Sequence, residues 1–146
     1  MKLAIGADHA GYYLKERVKE FLKSKNIDFK DYGTFKIESC DYPEYAYKVG
    51  QAVVNGEADL GILICGTGIG MSITANKIKG IRAALVYDEQ TAKLSRQHND
   101  ANVLCLGGRL TPEEEAKKIV DVWLNTSFEG GRHEKRIKLI SQLTGL

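Results

Sequence analysis

Residues 59–72 read DLGILICGTGIGMS, and the fold follows from how that stretch changes character halfway along. Leu60-Gly61-Ile62-Leu63-Ile64 is a short unbroken apolar run, the pattern of a strand buried on both faces. At Cys65 the run stops, and glycines arrive at alternate positions, Gly66, Gly68 and Gly70. Met71 to Lys77 then reads as helix. A strand, a glycine loop and a helix start form a cradle of backbone N–H groups with the positive end of a helix dipole behind it. Glycines let such a backbone approach a ligand closely. A cysteine at its mouth gains stabilisation of its thiolate and becomes a candidate nucleophile or base. Better-known glycine loops fit poorly. A dinucleotide fingerprint needs Gly or Ala where Met71 stands, and a phosphate-binding Gly-Lys-Ser/Thr has no counterpart in Met71-Ser72. A tight turn that binds nothing would use the same glycines, and a lone cysteine is more often a buried, inert thiol.

On either side, strands and helices alternate. Lys2 to Gly6 reads as a first strand. A helix follows with Leu14, Val18, Phe21 and Leu22 on one face and Lys15, Glu16, Lys19 and Glu20 outside. Ile27 to Lys30 is a second strand, and Asp41-Tyr42-Pro43-Glu44 signals a helix start that sends Ala46, Val49 and Val53 inward. Beyond the cradle come a strand over 81–86, a helix from Asp88 to about Arg96 and a strand over 103–106. Thr111-Pro112-Glu113-Glu114 reads as a capping box for a helix burying Ala116, Ile119, Val120 and Trp123. A last helix, over about 131–143, carries Ile137, Ile140 and Leu143 and is free to pack on a partner subunit. The alternation predicts one domain over 1–146, a three-layer α/β/α sandwich around a five-stranded parallel sheet of Rossmann-like, doubly wound type.

The 21 Lys and Arg against 19 Asp and Glu leave a net charge of +2, which gives no support for nucleic acid or a membrane surface as the main partner. No apolar stretch is long enough to span a bilayer, and the N-terminus runs straight into a strand rather than a signal peptide. The three cysteines, Cys40, Cys65 and Cys105, show no metal or redox spacing, as expected in a reducing cytoplasm.

In a parallel sheet, sites gather at the carboxyl ends of the strands. Asp8 and His9, the loop Cys65 to Gly70, Tyr87-Asp88 and Arg109 all follow strand ends. Adjacent Asp8 and His9 make poor metal ligands together, and His98 and His133 lie in unrelated segments, so no metal site is expected. His98-Asn99-Asp100 reads in isolation as a polar helix end. Arg132 and Arg136, four residues apart beside His133, share one helical face; paired guanidinium groups suit a phosphate dianion, although a solvated basic face has the same spacing.

Asp8-His9, Asp41-Tyr42-Pro43, Cys65 to Gly70, Ser95-Arg96-Gln97-His98-Asn99-Asp100 and Glu129-Gly130-Gly131-Arg132-His133 together resemble the type B ribose-5-phosphate isomerases, a family that also includes galactose-6-phosphate and allose-6-phosphate isomerases. The resemblance covers essentially the whole chain. It implies a cofactor-free, metal-independent aldose–ketose isomerase of a sugar phosphate, with ribose 5-phosphate and ribulose 5-phosphate as the pair. By position it implies Cys65 as the proton-abstracting base and His98 in opening the furanose ring; the Thr67 hydroxyl can add a hydrogen bond to the oxygen on which charge develops. Asp8, His9, Tyr42, Gly66, Thr67, Gly68, Ile69, Gly70, Asn99, Arg109, Arg132 and Arg136 are then ligand contacts. One branch of the family places a glutamate in the glycine loop; Met71 stands there in this chain, which puts it with the cysteine branch. The resemblance also implies a homodimer or tetramer with shared sites. Geometry gives the same expectation, because a helix from Asp88 rises about 15 Å over ten residues and carries His98 towards the far edge of its own sheet. A six-carbon sugar phosphate as substrate, or a non-catalytic sugar-phosphate or nucleotide sensor, would be compatible with the same glycine loop.

Overall fold

A computed structural model describes residues 1–146. Five parallel strands, β1 (Lys2–Ala7), β2 (Asp28–Asp31), β3 (Leu60–Cys65), β4 (Ala83–Leu85) and β5 (Val103–Gly107), form one sheet in the order β2-β1-β3-β5-β4. The central strands are those whose sequences read as continuous apolar runs. Ile62, Leu63 and Ile64 of β3 and Leu104, Cys105 and Leu106 of β5 are wholly buried. The chain winds outward from β1 to β2, returns across β1 to β3, and so leaves a crevice between the carboxyl ends of β1 and β3. This is the kind of reversal at which ligands bind in open α/β sheets.

The connecting helices are α1 (Tyr12–Ser24), α2 (Tyr42–Val54), α3 (Ile69–Ala75), α4 (Glu89–Asn99), α5 (Glu113–Leu124) and α6 (Arg132–Thr144). On one face of the sheet, a core of Leu14, Val18 and Leu22 from α1, Ala92 from α4 and Ile119, Val120 and Trp123 from α5 packs on Leu3, Ile5, Ile62, Ile64, Leu104 and Leu106. On the other face, Ala46, Val49 and Ala52 of α2 and Met71 and Ala75 of α3 pack on Ala4, Leu63, Val103 and Cys105. The α/β/α sandwich is therefore as expected, with α6 as an addition that lies against α4. None of these helices is long and apolar enough to cross a membrane.

Local expectations fail in three places. First, Lys15, expected outside α1, is wholly buried, where its ammonium pairs with Asp31 and Glu16. Burial alone would raise the Asp31 carboxyl, but hydrogen bonds from Lys15, Lys19 and the Gly33 N–H outweigh it and hold the group below the usual range. Second, the Thr111 capping box does not form. Thr111 is buried, the N-cap is Pro112, and Glu113, Glu114 and Glu115 complement the helix dipole instead. Asp41 does cap α2 by position, yet its side chain makes no capping hydrogen bond, and Val53 is only partly buried. Third, α4 runs on through Asn99, so His98 occupies its last turn, and Asp100 (φ 44°) ends it. The last helix, α6, whose apolar residues were expected to be free for a partner, buries only His133 within the chain and leaves Ile140 and Leu143 in solvent.

Candidate active site

The cradle has the expected position, but its helix is set two residues earlier, ending at Ala75 rather than Lys77. α3 starts at Ile69 and has only seven residues, so the nearby peptides, rather than a long dipole, govern the sulfur's surroundings. Gly68 adopts φ +84°, which turns the chain sharply between strand and helix. That turn directs the Gly68 N–H onto the Cys65 sulfur, which accepts its hydrogen bond at 3.2 Å. The Thr67 hydroxyl accepts from the Ile69 N–H at 3.1 Å, leaving its own proton to donate. Met71 is wholly buried in the core, so no group capable of taking a proton occupies that turn of the loop.

The neighbouring strand ends converge on the same place. Asp8 is buried, and its Oδ1 accepts from the Ala10 and Gly11 N–H groups at 3.0 Å each, which fixes the turn and leaves the second oxygen uncommitted. Gly11 has to be glycine, because a Cβ there would sit 2.2 Å from the Ile64 carbonyl oxygen. The Cys40 N–H donates to His9 Nδ1 at 3.1 Å. His9 is then the tautomer with its proton on Nε2, a donor on its free side. Arg109 lies over Gly66, with its Nη1 3.3 Å from where a Cβ would be, and the Tyr42 ring packs against Gly70. A cavity of about 410 Å³ is lined by Asp8, His9, Tyr42, Cys65, Thr67 and Arg109, with Gly66, Ile69 and Gly70 of the loop. Gly68 is buried beneath it.

His98, Asn99, Arg132 and Arg136 are not part of that cavity. α4 begins at the carboxyl end of β4 and returns to the opposite edge of the sheet. There the Asn99 carbonyl accepts from Arg82, the residue just before β4. At this far edge the chain assembles a second cluster, which corrects the expectation that His98 and His133 are unrelated. The Glu129 N–H donates to the Gln97 carbonyl, tying the Glu129-Gly130-Gly131 loop to the end of α4. The rings of His98 and His133 stack with centroids 4.3 Å apart and planes inclined by 12°. One Glu129 oxygen lies 3.7 Å from His98 Nε2 and 3.6 Å from His133 Nε2.

These three side chains are a metal-capable donor set by composition. Their geometry is that of stacking. The lone pairs of near-parallel rings run side by side, whereas a shared ion about 2 Å from each nitrogen needs them to converge. The His133 imidazole is held below its ordinary value by burial and by the charges of His98, Arg132 and Arg136, against an opposing pull from Glu129. Arg132 and Arg136 project from the first turns of α6 into solvent, and neither they nor Arg109 is paired with a carboxylate. The sequence held no direct sign of Glu129 or His133 as neighbours of His98; only the packing of α6 on α4 makes them so. A larger groove of about 610 Å³ beside β4 and α6 is mainly apolar. Its one charged side chain, Arg82, is already tied to Asp100.

The ribose/galactose isomerase family profile matches residues 3–140. Ribose-5-phosphate isomerase B of Escherichia coli is 49% identical over 142 residues, covering 97% of this chain and 95% of its own length. Among solved structures, Clostridium thermocellum ribose-5-phosphate isomerase B superimposes with a TM-score of 0.98 at 49% identity, covering 99% of this chain and 98% of that one. Ribose-5-phosphate isomerase B of Mycoplasma genitalium, solved with ribulose 5-phosphate bound, gives a TM-score of 0.94 at 46% identity, covering 99% and 96%. With the profile spanning nearly the full chain and relatives of this identity matching end to end, the protein belongs to the ribose/galactose isomerase family.

Proposed function

We propose that this protein is an aldose–ketose isomerase that interconverts ribose 5-phosphate and ribulose 5-phosphate, with Cys65 as the base. The observation that carries the reading is the Cys65 sulfur at the carboxyl edge of β3, held by the Gly68 N–H in a cavity that also presents Asp8, His9, Thr67 and Arg109. The support from outside the chain is the bound ribulose 5-phosphate of the M. genitalium relative. The Cys65 thiolate takes the proton from C2 of the open-chain aldose, and the electron pair moves through C1 to its oxygen as an enediolate. The proton returns to C1, while the O2 proton passes to O1, giving the ketose. Loop N–H groups and the Thr67 hydroxyl face the oxygen on which charge develops, each well-placed donor being worth about 3 kcal/mol. Tyr42 and Asn99 complete the sugar contacts, and Arg109, Arg132 and Arg136 take the phosphate. No step needs a metal.

The second half of the site comes from a partner copy. His98, which moves the proton between the anomeric hydroxyl and the ring oxygen, stands at the far edge of its own sheet with Asn99, Arg132 and Arg136. Large apolar side chains are exposed around the cavity, Tyr42, Ile69 and Ile73 among them, and along α6 at Ile140 and Leu143. A two-fold dimer that lays one edge against the other covers both surfaces and completes two identical sites. An assay with ribose 5-phosphate, with and without chelator and beside six-carbon aldose 6-phosphates, tests the reaction. Turnover of ribose 5-phosphate unaffected by chelator is expected. No turnover, or turnover abolished by chelator and restored by a metal, contradicts it.

A further inference from the structure

We propose that Tyr87 is a positioning residue for the isomerisation, its hydroxyl fixing the peptide whose N–H holds the Cys65 sulfur. The Tyr87 hydroxyl donates to the Thr67 carbonyl oxygen at 2.8 Å. That carbonyl and the Gly68 N–H belong to one planar peptide unit and point in opposite directions. The Gly68 N–H is the one that donates to Cys65 Sγ at 3.2 Å. Tyr87, the Thr67–Gly68 peptide and the thiol therefore form a single line of hydrogen bonds, and each bond in such a line polarises the next.

The arrangement is needed because the peptide is free to rotate. It precedes a glycine in the left-handed region, and Gly68 tolerates either orientation of its N–H. Rotation would turn the carbonyl dipole towards the sulfur and disfavour its anion. Two features oppose this. The backbone of Gly107 passes so close that a Cβ there would lie 2.8 Å from the Thr67 oxygen, which leaves little room for rotation, and Tyr87 grips the peptide from the side. Tyr87 is itself well anchored, between Val86, whose N–H donates to the Cys105 carbonyl, and Asp88, which caps α4 through the Thr91 N–H. The inference rests on Cys65 being the base, and its test separates the two claims.

The groups facing Cys65 are Asp8 and His9 after β1, Tyr42 of α2, Cys105 of β5 and Arg109 after it; Tyr87→Phe alters none of them. Alkylation by iodoacetamide is followed by mass spectrometry of the Cys65 peptide across about pH 5 to 10, so that Cys40 does not interfere. In Tyr87→Phe the midpoint of the profile moves up by about half a pH unit, and kcat for ribose 5-phosphate falls about three- to tenfold with KM nearly unchanged. Tyr13→Phe, at an exposed tyrosine of α1, moves neither. An unchanged midpoint overturns the inference whatever happens to activity. A shifted midpoint with unchanged kcat overturns the catalytic part of it if Cys65→Ala is inactive. Full activity in Cys65→Ala overturns the base assignment instead, and leaves the hold of Tyr87 on the thiol standing.

Discussion

The two chemical ends of this protein are built in opposite ways. The Cys65 cradle is made by fourteen consecutive residues, and its geometry comes from local backbone: a strand that stops, a left-handed glycine and a peptide aimed at a sulfur. The cluster of His98, Glu129 and His133 is drawn from two helices and a loop separated by some thirty residues, and it exists only because α6 packs on α4. The first end is legible as a motif and rigid by construction. The second depends on tertiary packing, carries unpaired arginines and exposed apolar side chains, and looks outward.

The largest effect should come from the cradle. Cys65→Ala is expected to lower kcat by about three orders of magnitude or more while leaving the fold intact, as loss of the group that abstracts the proton should. Cys105→Ala should remain active, because complete burial pushes that thiol up and keeps it neutral. Steady-state kinetics of the pair would break the comparison if both variants, or neither, lost activity.

The far cluster is expected to act through binding. Arg132→Ala and Arg136→Ala should each raise KM about 10- to 100-fold, the worth of a charge-assisted hydrogen bond to phosphate, with a smaller fall in kcat. Inorganic phosphate should also compete less well. An unchanged KM in both variants would return these arginines to the role of a solvated basic face.

The smallest effect separates the two ends by acid. His133 resists protonation in the fold, so the folded chain binds fewer protons than the unfolded one below the ordinary value of 6.5. Stability held through α6 should therefore decline as pH falls below 6.5. Asp31 is held below 3.8, so what it contributes at the β1–α1–β2 end is present above that value and lost only as pH falls below it. Amide exchange at about pH 5 should show α6 loosened and β1 protected. Equal protection of both would contradict the assignment.

What the sequence revealed follows the same division. The sheet was legible because β1, β3 and β5 are apolar runs that only a doubly covered strand can bury. The cradle was legible because its geometry is local. The burial of Lys15 is invisible to local spacing because its partner Asp31 lies sixteen residues away, and pairing makes the burial of a lysine tolerable. The Thr111 capping box failed because Pro112 took the cap position. The apolar stripe of α6 is visible in the sequence, yet within one chain nothing covers Ile140 and Leu143. His133 and Glu129 could not be placed beside His98, since no periodicity encodes the docking of α6 on α4.

The central claim is that one catalytic site draws Cys65 from one chain and His98 from another. Its most direct test is to co-refold the inactive variants Cys65→Ala and His98→Ala so that mixed dimers form. If sites are shared, each mixed dimer holds one site with both residues intact, and random pairing should restore about a quarter of the unmodified activity. If both residues came from the same chain, every site would lack one of them, and verified mixed dimers would stay inactive.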